Sequence, residues 1–562
     1  MHVIGMGLAR TLLRPVAAAA GWHATRQVGA FLGAHRRTRQ VQQELLQRLV
    51  AAGAGSDFGK ARALGRVRSY EDFVSAVPVG DYETHRPYVD QVLAGRPEAL
   101  FGAGGRIHMF AVTSGTTAAP KHIPVTDGFL RDYQRGWNVF GIQALADHPR
   151  AWLRPLVTIA SSAGEDVSAA GVPCGSISGL LAERQKWIVR RMYPVPQAVR
   201  EIRQPLAKYY GVLRASITHD VGMLTTANPS SAIKLAEVAR DHSERLIRDV
   251  HDGTFTPPGE AAGGACAALR FRADPAGARR LQQARQRHGE LLPRHFWDLA
   301  LLTHWTGGTL GLYLPRVREL YGDVPIRDIG LLASEGRLSL PLADGTPAGV
   351  AEITSNFLEF IPAEQAGAAR PDVLRAHQVA CGEEYFIVLS NWAGLWRYNI
   401  DDRVRVTGRL GGTPVIEFLS RGGHTCSITG EKLTEHQVVE AMAAASGGCG
   451  AGVDTFTLQG HFADPPYYEL RLELPAGAAP EDVAGRLDRE LRRLNVEYRS
   501  KRGSGRLGAV RATLLPPGSF ARQESRLIAL RRGRSEQYKH KYLMTEVVRD
   551  IHADAQANAL RS

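Results

Sequence analysis

The chain has 562 residues, more than a single hydrophobic core usually serves, so two or more cores are expected. A 44% hydrophobic, 22% charged composition is that of an ordinary globular protein and excludes disorder over the bulk of the chain. The formal charge of +13 suits anionic partners, but the basic residues lie in short clusters (His35-Arg36-Arg37, Arg279-Arg280, Arg489 with Arg492 and Arg493) that read as solvated surface rather than a nucleic-acid stripe.

At the start of the chain, Arg14-Pro15 and the apolar run Val16 to Gly21 are too short for a convincing secretion signal and pass directly into the basic, helix-like stretch Thr25 to Arg48. No apolar run reaches the ~20 residues needed to span a bilayer. The five cysteines (Cys174, Cys266, Cys381, Cys426, Cys449) are dispersed and form no C-x-x-C pair, which disfavours a disulfide framework or structural zinc. A soluble cytoplasmic protein, with no membrane and no nucleic-acid partner, is the expectation.

The first hundred residues predict a helical layer, with Leu45, Leu46, Leu49 and Val50 on one face, followed by a Pro/Tyr-punctuated stretch from Val77 to Tyr88. Helices are predicted over Asp127 to Ala146 and over Ser230 to His251, the second opening after Asn228-Pro229. From Glu383 the period changes to two. Tyr385 to Leu389, Leu395 to Tyr398, Val404 to Val406 and Val415 to Leu419, separated by Ala393-Gly394, Asp401-Asp402 and Gly411-Gly412, predict an antiparallel meander or small barrel. Arg421-Gly422-Gly423-His424 interrupts it, and Thr434 with Gln437 forms a capping-box signature for a new helix. Strands at Phe456 to Leu458 and Tyr468 to Leu474 and a helix from Pro480 to Asn495 follow. The class is therefore mixed α/β, with a large N-terminal domain over residues 1–420, a hinge at 421–432 and a small α+β domain at 433–562.

Three segments carry chemistry. Phe110 to Lys121 (FAVTSGTTAAPK) is a strand running into a hydroxyl-rich loop that ends in lysine, a donor set suited to a polyphosphate. It is not a Walker A loop, because Pro120 stands where the second glycine belongs and His122 where Ser/Thr belongs. Ala333-Ser334-Glu335-Gly336 reads as a hairpin tip that would project a carboxylate able to hold Mg²⁺, or as an ordinary turn. Arg397 to Asp402 places two carboxylates at a strand turn, where one could accept from ribose hydroxyls.

In this order the three resemble the motifs of the GH3 family of acyl-acid amido synthetases, a branch of the adenylate-forming superfamily, and point to a bacterial-type member. Thr113 to Lys121 with Ile123 to Thr126 looks like the family's phosphate loop, Ala333 to Gly336 its second motif and Tyr398 to Asp402 its Tyr-Arg-x-Gly-Asp motif. The likeness extends to Ser69 to Phe73, Val77-Pro78-Val79, Asn228-Pro229-Ser230, Phe357 to Pro362, Gly430 to Glu435 and Gln537-Tyr538-Lys539, and so spans roughly residues 40 to 545. Asn399 and Asp401 depart from it, standing where the family has Arg and Gly.

The resemblance implies a large adenylate-forming domain with β-sheets and a small barrel, and a small mobile C-terminal domain. It implies ATP and Mg²⁺, and two half-reactions: a small carboxylic acid becomes an acyl-AMP with release of pyrophosphate, and an amine, typically an amino acid, then takes the acyl group and expels AMP. The residues it assigns are Ser114, Gly115, Thr116, Thr117 and Lys121 to the polyphosphate, Ser334 to the α-phosphate region, and Glu335 to Mg²⁺. Tyr398 and Asp402 fall to the nucleotide, with Asp402 at the ribose, and Arg421 to ribose or phosphate near the hinge; Lys432 and Lys539 are the catalytic lysines of the small domain. His304, Trp305 and Tyr313 are candidates for an acyl pocket, or for core. Two alternatives stay open: transfer to a thiol such as coenzyme A or a carrier protein, and an inactive nucleotide-binding scaffold. A monomer is favoured.

Overall fold

In the computed structural model the apolar face of α1 (Thr38–Gly53) is buried at Leu45, Leu46, Leu49 and Val50, and it packs into one core with the strands that carry the site. The structure describes residues 26–549 except 103–104, 114–119, 160–165, 184–191, 203, 260–268, 366–367, 369, 423–424, 447–452, 454, 475–478, 521 and 524–541. After α2 (Tyr82–Leu93), β1 (Ile107–Thr113) pairs antiparallel with β2 (Lys121–Thr126) and parallel with Pro173–Gly175. Thr126 ends β2 and caps α3 (Asp127–Asp147), its hydroxyl accepting from the Phe129 amide at 3.2 Å and donating to the Trp392 carbonyl at 2.7 Å.

A four-stranded parallel sheet follows in the order β3 (Leu156–Thr158), β4 (Met223–Thr225), β5 (Leu301–Thr303), β6 (Ile326–Arg327). The run Leu301-Leu302-Thr303 is wholly buried, as a strand covered on both faces requires. The helix expected over Ser230 to His251 is two helices. α4 (Pro229–Asp241), capped by Asn228, ends at His242, whose φ of −116° and ψ of 22° break the ladder before α5 (Ser243–Asp252). The break lets Leu246 and Val250 bury in the same core as Ala278 and Leu281 of the helix Pro275–His288.

A short hairpin, β7 (Leu332–Ala333) and β8 (Gly336–Arg337), leads into a seven-stranded antiparallel sheet. Its centre is β9 (Phe357–Pro362), β10 (Glu384–Ser390), β11 (Tyr398–Leu410) and β12 (Thr413–Arg421), the last three being the meander expected from the sequence. The two runs on either side of Asp401-Asp402 belong to one strand. Opposite Ile387, between the pairs Phe386↔Arg403 and Val388↔Asn399, β11 carries Ile400, Asp401 and Asp402, a bulge rather than a turn.

Beyond β12 a third core gathers side chains from Cys426 to Leu543. Thr434 and Gln437 form the expected box at the start of α6 (Glu435–Ser446): the Gln437 amide donates to Thr434 Oγ1 at 3.1 Å and the Thr434 amide to Gln437 Oε1 at 3.2 Å. β13 (Phe456–Phe462), β14 (Tyr467–Leu472), α7 (Pro480–Leu494), β15 (Arg511–Leu514) and β16 (Leu543–Arg549) complete it, with sheet order β15-β14-β13-β16. This part meets the rest through Asn228 Nδ2, which donates to the Thr429 carbonyl at 2.7 Å, the Tyr313 hydroxyl, which donates to the Ile428 carbonyl at 3.0 Å, and Arg506, which donates to Ser231 Oγ at 3.0 Å. Among the described residues no helix is long and apolar enough to cross a membrane.

Candidate functional site

The three sequence motifs converge on one buried hydroxyl. Lys121, the first residue of β2, donates from Nζ to the Tyr398 hydroxyl at 3.1 Å, and that hydroxyl donates to Glu335 Oε1 at 3.3 Å. Lys121 is 6% exposed, Glu335 2% and Tyr398 fully buried, so the two charges are held where water screens them little. The lysine also lies 5.6 Å from the Tyr82 ring centroid and 5.7 Å from that of Tyr398. Tyr82 is fixed in turn by the His122 backbone, accepting from its amide at 2.8 Å and donating to its carbonyl at 3.1 Å; burial pushes its phenol up to about 12.

Glu335 sits at the two-residue tip between β7 and β8, but it is buried instead of projecting into solvent. Two asparagines that the motifs do not include fasten it. Asn391 Nδ2 donates to the Glu335 carbonyl at 2.7 Å and to Asn356 Oδ1 at 2.9 Å, while Asn356 Nδ2 donates to the Arg337 carbonyl at 2.7 Å. Gly336 between them admits this approach, because a Cβ there would lie 2.8 Å from Asn356 Oδ1. From α1, Gln42 donates to the Asn356 carbonyl at 2.8 Å, carrying the network back to the helical layer. Ser334, the other residue of the tip, is half-buried.

Tyr398 is held by the chain before it. The Gly80 amide donates to the Arg397 carbonyl at 3.1 Å and the Asn399 amide to the Gly80 carbonyl at 2.8 Å, so residues near 80 act as a short parallel partner. Arg397, at φ +44°, turns its guanidinium into a buried pair with Glu359, Nε to Oε2 at 3.0 Å, and donates from Nη1 to the Val77 carbonyl at 3.0 Å. Four residues beyond Tyr398, Asp402 is 5% exposed and stands opposite Arg421 in the β11–β12 ladder. Asn399 and Asp401 lie in or beside the bulge. Asp401 adopts φ +65°, a conformation glycine takes freely, and Asn399 Oδ1 supports it by accepting from the Asp401 amide at 2.9 Å.

Lys432 is half-buried at φ +48° on the loop before α6, its amide donating to Ser427 Oγ at 3.3 Å. That loop wraps the buried Glu431 carboxylate, which accepts from the Ile428 and Thr429 amides at 2.7 and 2.8 Å. His304 and Trp305 follow β5. His304 donates from Nδ1 to the Trp305 carbonyl at 2.8 Å, its Nε2 is buried without a partner among the described residues, and burial lowers its imidazole to about 4. Trp305 donates to the Gly330 carbonyl at 2.8 Å. Tyr313 stands at the junction with the third core, its ring 4.8 Å from that of Phe462. Ser114, Gly115, Thr116, Thr117 and Lys539 lie outside the described residues, as does the side chain of Arg421.

The described residues contain no group of three or more His, Cys, Asp or Glu placed to hold a metal ion by themselves. One buried carboxylate with a lysine near it suits a cation that arrives on a polyphosphate, since Mg²⁺ is commonly held by one or two carboxylates plus substrate phosphates.

Models of the GH3 family N-terminal, central and C-terminal domains match residues 27–326, 350–421 and 436–547. Jasmonoyl–L-amino acid synthetase JAR6 of Nicotiana attenuata is 23% identical over 511 residues, covering 86% of this chain and 87% of that protein. Indole-3-acetic acid-amido synthetase GH3.8 of Oryza sativa subsp. indica is 24% identical over 535 residues, covering 89% and 87%. Among solved structures, AtGH3.15 acyl acid amido synthetase in complex with 2,4-DB superposes with a TM-score of 0.63 at 19% identity over 95% of this chain and 96% of that one, a likeness of fold. With the N-terminal model alone matching more than half of the sequence, the chain belongs to the GH3 family.

Proposed function

We propose that this chain is an ATP-dependent acyl-acid amido synthetase: it converts a small carboxylic acid to an acyl-AMP with release of pyrophosphate, then transfers the acyl group to an amine, an amino acid by analogy with its relatives, leaving AMP. The observation that carries this reading is the meeting of Lys121, Tyr398 and Glu335, from three motifs more than 60 residues apart, around one hydroxyl. Relatives covered over most of their length and named as a jasmonoyl–L-amino acid synthetase and an indole-3-acetic acid-amido synthetase support the amide product.

In this reading Lys121 takes the polyphosphate with Ser114, Gly115, Thr116 and Thr117, and Asp402 takes the ribose hydroxyls. Glu335 would hold Mg²⁺, which neutralises charge on the phosphates when bound. Because Lys121 and Glu335 are buried, their charges act in a medium of low dielectric, where positioned groups stabilise developing charge well. Exclusion of water protects the mixed anhydride from hydrolysis. The small domain turns about Arg421 to Ser427 between half-reactions, presenting Lys539 during adenylation and withdrawing it for amine entry; a cation aids departure of pyrophosphate, whereas the amine needs access to the acyl carbon.

Incubation with ATP, Mg²⁺, a panel of carboxylic acids and mixed amino acids, read by mass spectrometry, tests the proposal. An amide with stoichiometric AMP is the expected product. A thioester formed only with coenzyme A would replace the acceptor assignment, and ATP binding without any acid-dependent product would leave a scaffold.

A further inference from the structure

Resting on the assignment of Lys121 and Glu335 to a nucleotide polyphosphate, we propose that the Tyr398 hydroxyl is a spacer that keeps this buried cation and anion from collapsing into a direct ion pair. Lys121 and Glu335 are both more than nine-tenths buried. At such sites opposite charges attract far more strongly than in water, and a direct pair would leave both groups neutralised against each other. A phenol has one proton to donate and lone pairs to accept, so it can satisfy an ammonium and a carboxylate together. Here it does both, at 3.1 Å from Nζ and 3.3 Å from Oε1.

A spacer works only if it cannot swing aside. The Tyr398 ring is fully buried and stands edge-on to the His85 ring at 5.8 Å. His85 is itself tied at both nitrogens, Nδ1 to the Asp81 carbonyl and Nε2 to the Trp396 amide, each at 3.0 Å. The bridge between Gly80 and Tyr398 fixes the backbone beneath the ring. The lysine, by contrast, is an unbranched stem that can leave the hydroxyl for an arriving phosphate. Tyr398 is therefore a positioning residue: it holds two groups of opposite charge side by side without their pairing directly.

Removing only the hydroxyl tests this. In Tyr398→Phe, Lys121 is expected to close directly on Glu335, and binding of ATP in EDTA, followed by calorimetry, should weaken about tenfold, the size of one charge-assisted hydrogen bond. EDTA removes any metal contribution from Glu335. Adding Glu335→Gln abolishes the competing charge, so Tyr398→Phe/Glu335→Gln should bind ATP within about threefold of Glu335→Gln alone. Misfolding, or loss of a direct contact between the phenol and phosphate, would not be rescued in this way. Parental binding by Tyr398→Phe, or no recovery in the double variant, overturns the proposal while leaving the nucleotide site intact. If the parent binds no ATP with or without Mg²⁺, the site assignment fails and the spacer role with it.

Discussion

Gly422 and Asp401 are fitted to one another at the end of the central sheet: the Gly422 amide donates to the Asp401 carbonyl at 2.7 Å, and a Cβ on Gly422 would lie 1.8 Å from Asp401 Oδ2. Both have left-handed backbone, φ +65° at Asp401 and +26° at Gly422. Gly422→Ala should therefore lower stability by about 1–3 kcal/mol, through collision and strain together. Asp401→Gly should be close to neutral alone and should restore part of the loss when combined with Gly422→Ala. Thermal unfolding of the four proteins checks this; a Gly422→Ala protein melting with the parent would contradict it.

The asparagine pair behind Glu335 gives a second expectation. Asn391→Ala removes the donor to the Glu335 carbonyl and to Asn356, leaving buried acceptors unpaired at about 1–3 kcal/mol each. Stability should fall, and the KM for ATP at fixed Mg²⁺ should rise several-fold, more than kcat falls, because the carboxylate is displaced rather than removed. Unchanged KM in the folded variant would separate this network from the site.

Arg397 and Glu359 form a pair exposed by 3% and 0% at their side chains, and the Tyr70 hydroxyl adds a hydrogen bond to Glu359 Oε1 at 2.7 Å. Breaking a buried pair by removing one charge typically costs about 3–5 kcal/mol. Glu359→Gln should destabilise by an amount of that order, whereas Glu384→Gln, at an exposed arginine cluster on the same sheet, should cost no more than about 1 kcal/mol. Denaturant unfolding of both variants checks the contrast.

Stability should fall below neutral pH. Burial lowers His35 and His304 from 6.5 to about 4, so between those values the unfolded chain binds more protons and acid favours it, by up to about 1.4 kcal/mol per pH unit for each imidazole. Asp132 works in the opposite sense: burial raises it from 3.8 to about 6, so its contribution is full at low pH and is lost as pH rises through about 6. Asp132→Asn should therefore steepen the loss of stability between pH 6 and pH 4.5, and His35→Gln should flatten it, in unfolding curves across that range.

What the sequence made legible was local. The Thr434–Gln437 box, the strands on either side of Gly411-Gly412 and the helix opening after Thr126 each depend on residues within a few positions of one another. The bulge in β11 read as a turn because Asp401-Asp402 carries the composition of one, although paired strands on both sides keep it in the ladder. Glu335 read as exposed because nothing in its own hairpin discloses Asn391, 56 positions away, or the Tyr398 hydroxyl, 63 away. Lys121, Glu335 and Tyr398 were legible as motif residues, but their common hydroxyl and the asparagines behind it are products of tertiary packing.

Acid-dependent exchange of labelled pyrophosphate into ATP tests the central claim most directly, because it reports reversible adenylation without requiring the amine to be known. With an acid selected by thermal shift and Mg²⁺ present, the parent should show exchange that depends on the acid, and Lys121→Ala and Asp402→Ala should each lose about tenfold to a hundredfold through missing phosphate and ribose contacts. Asp402→Ala should also weaken AMP binding, while Lys121→Ala should leave it close to the parent. Absence of exchange with an acid that binds, or full exchange in both variants, would contradict the account.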